Sequence, residues 1–188
     1  MNELGASLRL QSRLLQMPNT IIINSIEELA PVADQVRASA RQSTLVLADL
    51  LKSIEGVDLF WKLRFENAGR DPLDPNRPLN FVEQLNQTSS YLVTIAAAAY
   101  LFDHHKSSAP FVLTLGPIGG HDIASSDGKI VAETFAATRP GSNNKLNKEI
   151  KKLSSASADH KYVFYFCPSY PRRVAQADGV TTVSLGTI

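Results

Sequence analysis

The sequence predicts an α/β domain whose elements run helix, three strands, helix, strand, preceded by a helical N-terminal subdomain. Three observations carry this. Apolar residues recur at helical spacing before residue 69 and again from residue 80 to 103. Runs rich in β-branched and aromatic residues follow at 111–115 and 161–166. Between them, two further runs flank Asp127-Gly128, a hairpin signal.

The bulk numbers bound the answer. A chain of 188 residues, 44% apolar and 20% charged, buries one good core with an appendage and is far from a disordered composition. A net charge of +1 announces no global attraction to nucleic acid, so any such claim rests on a local site. Cys167 stands alone, which excludes an intramolecular disulfide and a four-cysteine zinc site. The opening residues are spaced with arginine and glutamine and lack an apolar core, so no secretory signal is read there and a cytoplasmic location is expected. The longest apolar run, 91–102, is interrupted by Thr94 and falls short of the roughly 20 residues of a membrane span, so no membrane partner is expected.

Residues 1–20 carry leucines without a sustained period and end in Met17-Pro18-Asn19, a loose arm or a short docking helix. Ser25 followed by Glu28 is a capping-box pattern, and Leu29, Val32, Ala33 and Val36 continue it into a helix over 26–41. Helical rhythm repeats over 44–54 and 58–68, separated by Gly56, until three prolines in 70–78 stop it. Residues 1–79 are therefore the helical subdomain and 80–188 the core. Asn80 as cap and Glu83 three residues on open a long helix that ends near Asp103. A strand over 111–115 leads to a hairpin of 121–125 with 129–136, turning at Asp127-Gly128 in a type I′ geometry. Pro140 and Ser142 open a helix with Leu146, Ile150 and Leu153 on one face, and strands over 161–166 and 180–185 complete the chain.

If the hairpin loop is Asp127 and Gly128 alone, Ser126 pairs with Lys129 and Asp122 falls opposite Glu133. Opposed like charges are destabilising unless a cation compensates them. Magnesium or manganese suits such a pair, because hard cations take one or two carboxylates together with water and phosphate oxygens. The alternative is a register shifted by one, with Asp122 facing water at a strand end.

The element order and the string Gly120-His-Asp122 followed by Asp-Gly-Lys-Ile-Val-Ala-Glu133-Thr-Phe135 resemble the PD-(D/E)XK nuclease superfamily over 80–168. The resemblance implies a restriction-endonuclease-like αβββαβ core in which Asp122 and Glu133 bind Mg²⁺ or Mn²⁺. It also implies a lysine two residues after the glutamate, where this chain has Phe135. Either a cation arrives from elsewhere, as in some members, or the site is inactive. Lys145 is the candidate replacement, although Lys145, Lys148, Lys151 and Lys152 equally suit the solvated rim of an amphipathic helix. Glu83 corresponds to an acidic metal ligand that some members carry on the first core helix, and capping explains it equally well.

Lys148, Asn144, Arg172 and Arg173 are candidate contacts to a phosphate backbone, with a solvated surface as the plain alternative. His121 is expected to point away from Asp122 as a buried or edge histidine. His104 and His105 end a helix without the spacing of zinc ligands, and His160 reads as surface. No Walker A loop, nucleophile elbow or dinucleotide fingerprint is present in the sequence. The expectation is a metal-dependent endonuclease acting on DNA, with a homodimer to cut both strands. Its rival is an inactive nuclease-fold protein serving as a binding or assembly module.

Overall fold

The computed structural model describes residues 20–116 and 119–188. In chain order its elements are β1 (Thr20–Ile23), α1 (Leu29–Ser53), α2 (Gly56–Phe65), β2 (Gly69–Arg70), β3 (Pro78–Leu79), α3 (Phe81–His104), β4 (Phe111–Thr114), β5 (Ile123–Ser125), β6 (Ile130–Ala136), α4 (Lys145–Ser154), β7 (His160–Phe166), β8 (Arg173–Ala177) and β9 (Val180–Ser184). The protein is a mixed α/β chain that divides into two compact units, residues 30–92 and residues 20–29 with 93–188. The expected arm over 1–20 lies outside the described residues apart from Thr20.

The unit of residues 30–92 is helical. Residues 29–53 form one continuous helix where two were expected, because Arg41 to Thr44 contains no breaker. The proline-rich loop is closed by the β2–β3 pair, Gly69 opposite Leu79 and Arg70 opposite Pro78. Buried Asp71 holds the loop, accepting bonds from Leu73 N–H (2.9 Å), Asp74 N–H (3.2 Å), Arg77 (3.0 Å) and the Tyr91 hydroxyl (2.8 Å). At the start of α3 the capping box forms as expected: Glu83 N–H donates to Asn80 Oδ1 (2.8 Å) and Asn80 N–H to Glu83 Oε2 (3.2 Å).

The other unit is built on a mixed sheet of order β1-β4-β5-β6-β7-β9-β8. From β1 to β6 neighbours are antiparallel, β6–β7 and β7–β9 are parallel, and β8–β9 is antiparallel. Both faces of β6 are covered, which is why all but its last residue are buried. Its odd residues share a face with those of β7. There Val131, Phe135, Val163 and Tyr165 pack with Ile150 and Leu153 of α4. Its even residues face the C-terminal part of α3, where Thr94 Oγ1 lies 2.7 Å from Thr134 Oγ1 and Tyr100 meets the rings of Tyr162 and Phe164 edge-on.

Several local expectations are corrected. Ser25 makes no side-chain cap; Asn24 donates from its backbone N–H (2.9 Å) and its amide to Glu28 instead. Ahead of it, Thr20–Ile23 forms a strand that pairs with β4 and buries Ile21 and Ile23. The β5–β6 register is the expected one, with Ile123 opposite Ala132 and Ala124 opposite Val131, but the turn is not type I′. Gly128 N–H donates to Ser125 C=O (3.0 Å), only Gly128 has a positive φ, and Ser126 N–H donates to Pro110 C=O rather than pairing with Lys129. Asp127 stabilises this wider turn by accepting from the Ser125 hydroxyl (2.6 Å) and Lys129 N–H (3.1 Å). The type I′ turn occurs instead at Asp178-Gly179, with φ of 51° and 74°, joining β9 to β8. Strand β8 has no buried residue, so its sequence carries no apolar alternation to reveal it.

Candidate active site

Glu133 lies at the middle of β6 on the face that α4 covers, between Val131 and Phe135 of the apolar cluster. Its carboxylate is buried and does not stand alone. Lys152 Nζ lies 2.8 Å from Oε1, and His121 Nδ1 lies 2.7 Å from the same oxygen. Lys152 also donates to Gly120 C=O (2.9 Å), so the α4 lysine ties together the loop before β5 and the centre of β6. Burial pushes the Glu133 carboxyl above the usual carboxylate range, while the Lys152 and His121 bonds pull it back and the Asp122 charge adds to the rise.

Asp122 immediately precedes β5, one step beyond the Ile123–Ala132 pair, which sets it opposite Glu133. Its Oδ2 accepts the Thr134 backbone N–H (2.6 Å) and the Thr134 hydroxyl (3.0 Å). Behind it the Thr134 hydroxyl lies 2.7 Å from the Thr94 hydroxyl, a contact in which either oxygen can donate. Burial raises the Asp122 carboxyl, the two Thr134 bonds and the Lys152 charge oppose the rise, and Glu149 adds to it. Each carboxylate thus spends one oxygen on the protein. Among the described residues, Asp122 Oδ1 and Glu133 Oε2 carry no hydrogen bond.

The other candidates separate. Lys145 pairs with buried Glu149 one turn along α4, and it is Lys152, two turns along, that reaches Glu133. Phe135 is buried and stacks on Tyr165 at 5.6 Å, so the position two residues after the glutamate helps seat α4. Glu83 is engaged in the Asn80 capping box. Asn144 is exposed in a left-handed conformation and its Oδ1 accepts from Asn147 (2.8 Å); Lys148 is exposed on α4. The Arg172 guanidinium lies over the Tyr100 ring at 5.8 Å, and exposed Arg173 starts β8.

Two participants escaped sequence reasoning. His121 was expected on the face away from Asp122, but it precedes the strand, and without strand alternation its ring turns onto Glu133. Lys152 was one of four helix lysines. Lys145, Glu149 and Lys152 each directly precede an apolar-stripe residue and so form one rim of the helix. That rim was visible in the sequence, but which of its lysines meets the carboxylates was not.

Among the described residues, no group of three or more histidine, cysteine, aspartate or glutamate side chains is arranged to hold a metal ion. The donor set that exists is a carboxylate pair with one open oxygen each, which suits a hard cation that retains water rather than a closed protein cage. No helix among the described residues is long and apolar enough to cross a membrane. Comparison with known proteins gave no matching family model, no matching curated protein and no matching solved structure.

Proposed function

We propose that this chain is a divalent-metal-dependent nuclease of the PD-(D/E)XK kind, hydrolysing phosphodiester bonds in DNA, with Lys152 in the role of the lysine that Phe135 displaces. The observation that carries the proposal is the 2.8 Å contact between Lys152 Nζ and Glu133 Oε1. It supplies from α4 the cation that the resemblance requires beside the carboxylates. The sheet order, with an antiparallel β4-β5-β6 meander followed by the α4 crossover to parallel β7, is compatible with a restriction-endonuclease-like core.

Asp122 and Glu133 are the residues that would hold Mg²⁺ or Mn²⁺. The cation would supply Lewis-acid polarisation of the phosphate and acidify water at the site. Thr134 fixes Asp122 in one rotamer by two bonds to Oδ2, so Oδ1 has a defined direction. His121 and Lys152 do the same for Glu133. Lys152, half-exposed, offsets the negative charge of an approaching phosphodiester and orients the attacking water by donating to it. Lys148, Asn144, Arg172 and Arg173 are exposed and serve as contacts to the DNA backbone, a role that carries no sequence preference.

The test is cleavage of supercoiled plasmid and of short single- and double-stranded DNA with Mn²⁺, Mg²⁺ or chelator, using native protein, Asp122→Asn and Glu133→Gln. Metal-dependent cleavage lost in both variants is expected. Cleavage surviving at the native rate in both would overturn the assignment.

Phe135 favours a second function, a nuclease-fold binding module without turnover. Its ring fills the position from which the motif lysine would act, and Glu133 Oε1 is already satisfied by two donors. Absence of cleavage by native protein on all these DNA forms, with binding retained, would select it.

A further inference from the structure

We infer that helix α2 is a homodimer interface, packing antiparallel against the same helix of a second copy about a two-fold axis at Trp61. The inference stands independently of the nuclease proposal. Six of the ten residues in the sequence GVDLFWKLRF are large and apolar, yet no residue of the helix is buried. Val57, Phe60, Trp61 and Phe65 are exposed at 61%, 69%, 58% and 64%. An isolated helix of this length is marginal in water, and among the described residues its own unit covers only Leu59, Lys62 and Leu63, each in part, which leaves the Trp61 side open.

The size of this face decides what covers it. An aromatic side chain offers roughly 150–250 Å², so these four residues expose on the order of 500 Å² per copy. That is near the upper end for a monomer's largest apolar patch, which is commonly an interaction site. Two copies together would bury about 1,000 Å², the lower bound for a biological interface.

The arrangement along the helix selects a second copy of this chain. Val57, Trp61 and Phe65 are spaced four residues apart and are therefore symmetric about Trp61. Asp58 and Arg64 are symmetric about the same residue and opposite in sign. An antiparallel pair centred on Trp61 brings each Val57 level with Phe65 of the partner subunit and each Asp58 level with Arg64 of the partner subunit, across the seam. Asp58 has no ion-pair partner among the described residues, and the Arg64 guanidinium lies 5.9 Å from the Phe65 ring centroid, at the edge of the apolar face. A two-fold interface requires such self-complementarity, and a foreign partner does not.

Sedimentation equilibrium of the full chain, with the emission of Trp61, the sole tryptophan, followed over the same concentrations, tests the inference. The expected result is a monomer–dimer equilibrium with a blue shift as the dimer forms. Trp61→Asp weakens it by about 30-fold or more, as loss of a central aromatic anchor does. Asp58→Arg alone weakens it by about ten-fold, and adding Arg64→Asp in the same chain restores it. A chain that stays monomeric up to about 200 µM overturns the inference. So does a dimer indifferent to Trp61→Asp, or one that the second charge reversal fails to rescue. Flotation of a monomeric chain with phosphatidylcholine–phosphatidylserine vesicles would also overturn it, assigning the face to a lipid surface.

Discussion

Lys152 Nζ lies 2.8 Å from Glu133 Oε1, joining the third turn of α4 to the centre of β6. A half-exposed ammonium thereby compensates a buried carboxylate, and Lys145, the candidate favoured by its place at the start of the helix, compensates Glu149 instead. The two lysines are seven residues apart on one helix rim, and the structure gives them different carboxylates.

Their substitutions should therefore differ. Lys152→Ala is expected to lower the DNA cleavage rate by about 100-fold, the scale of losing one positioned charge or donor in a site. Lys145→Ala should stay within about three-fold of native, because its partner is Glu149. Single-turnover cleavage rates with saturating Mn²⁺ check this; equal losses would remove the distinction.

Metal binding should be visible without turnover. A cation bound only by folded protein raises stability by about 2.7 kcal/mol at one hundred times its dissociation constant. The expected outcome is a higher melting temperature with Mn²⁺ for native protein and none for Asp122→Ala or Glu133→Ala. A shift that survives both substitutions would place the cation elsewhere.

Asp71 should be the most sensitive polar residue of the unit formed by residues 30–92. It is buried and satisfies four donors, and burial together with its bond to Asp71 pushes the Tyr91 phenol far above the ordinary tyrosine range. Asp71→Ala leaves those donors unpaired and should cost about 3 kcal/mol, against about 1–2 kcal/mol for Tyr91→Phe. Urea denaturation of the two variants measures the ratio, and equal small losses would mean that water replaces the carboxylate freely.

His105 gives a pH dependence of defined sign. Its Nε2 lies 2.6 Å from the Tyr162 hydroxyl and its ring 4.6 Å from that of His160. Burial, then the charges of His160 and His104, lower its pKa. A histidine that binds its proton less readily when folded contributes stability above its unfolded pKa of about 6.5 and loses it as pH falls through the folded value. Melting temperature should therefore fall from pH 7.5 to pH 5, and less steeply in His105→Gln. Parallel curves would show that His105 does not carry the linkage.

Local signals were legible wherever one element's chemistry decides its own conformation. The Asn80–Glu83 box starts α3 because both partners lie within a single turn. The apolar stripe of Leu146, Ile150 and Leu153 reappears as the buried side of α4. The pairing that sets Asp122 opposite Glu133 was also legible, even though the turn producing it is wider than the expected two-residue loop. Strand β1 was obscured by its place at the end of a segment without period, and exposed β8 by its lack of any apolar face.

By itself, then, the sequence determined the order of helices and strands from residue 80, β8 excepted, and the identity of the carboxylate pair, because periodicity, capping and β-branched runs act between near neighbours. Only the tertiary structure decided which cation reaches Glu133, that His121 joins it, and that Phe135 becomes part of the core under α4. Those outcomes depend on how α4 is rotated and placed against β6. Packing among Val131, Phe135, Ile150, Leu153 and Val163 sets that rotation, and no spacing along the chain encodes it.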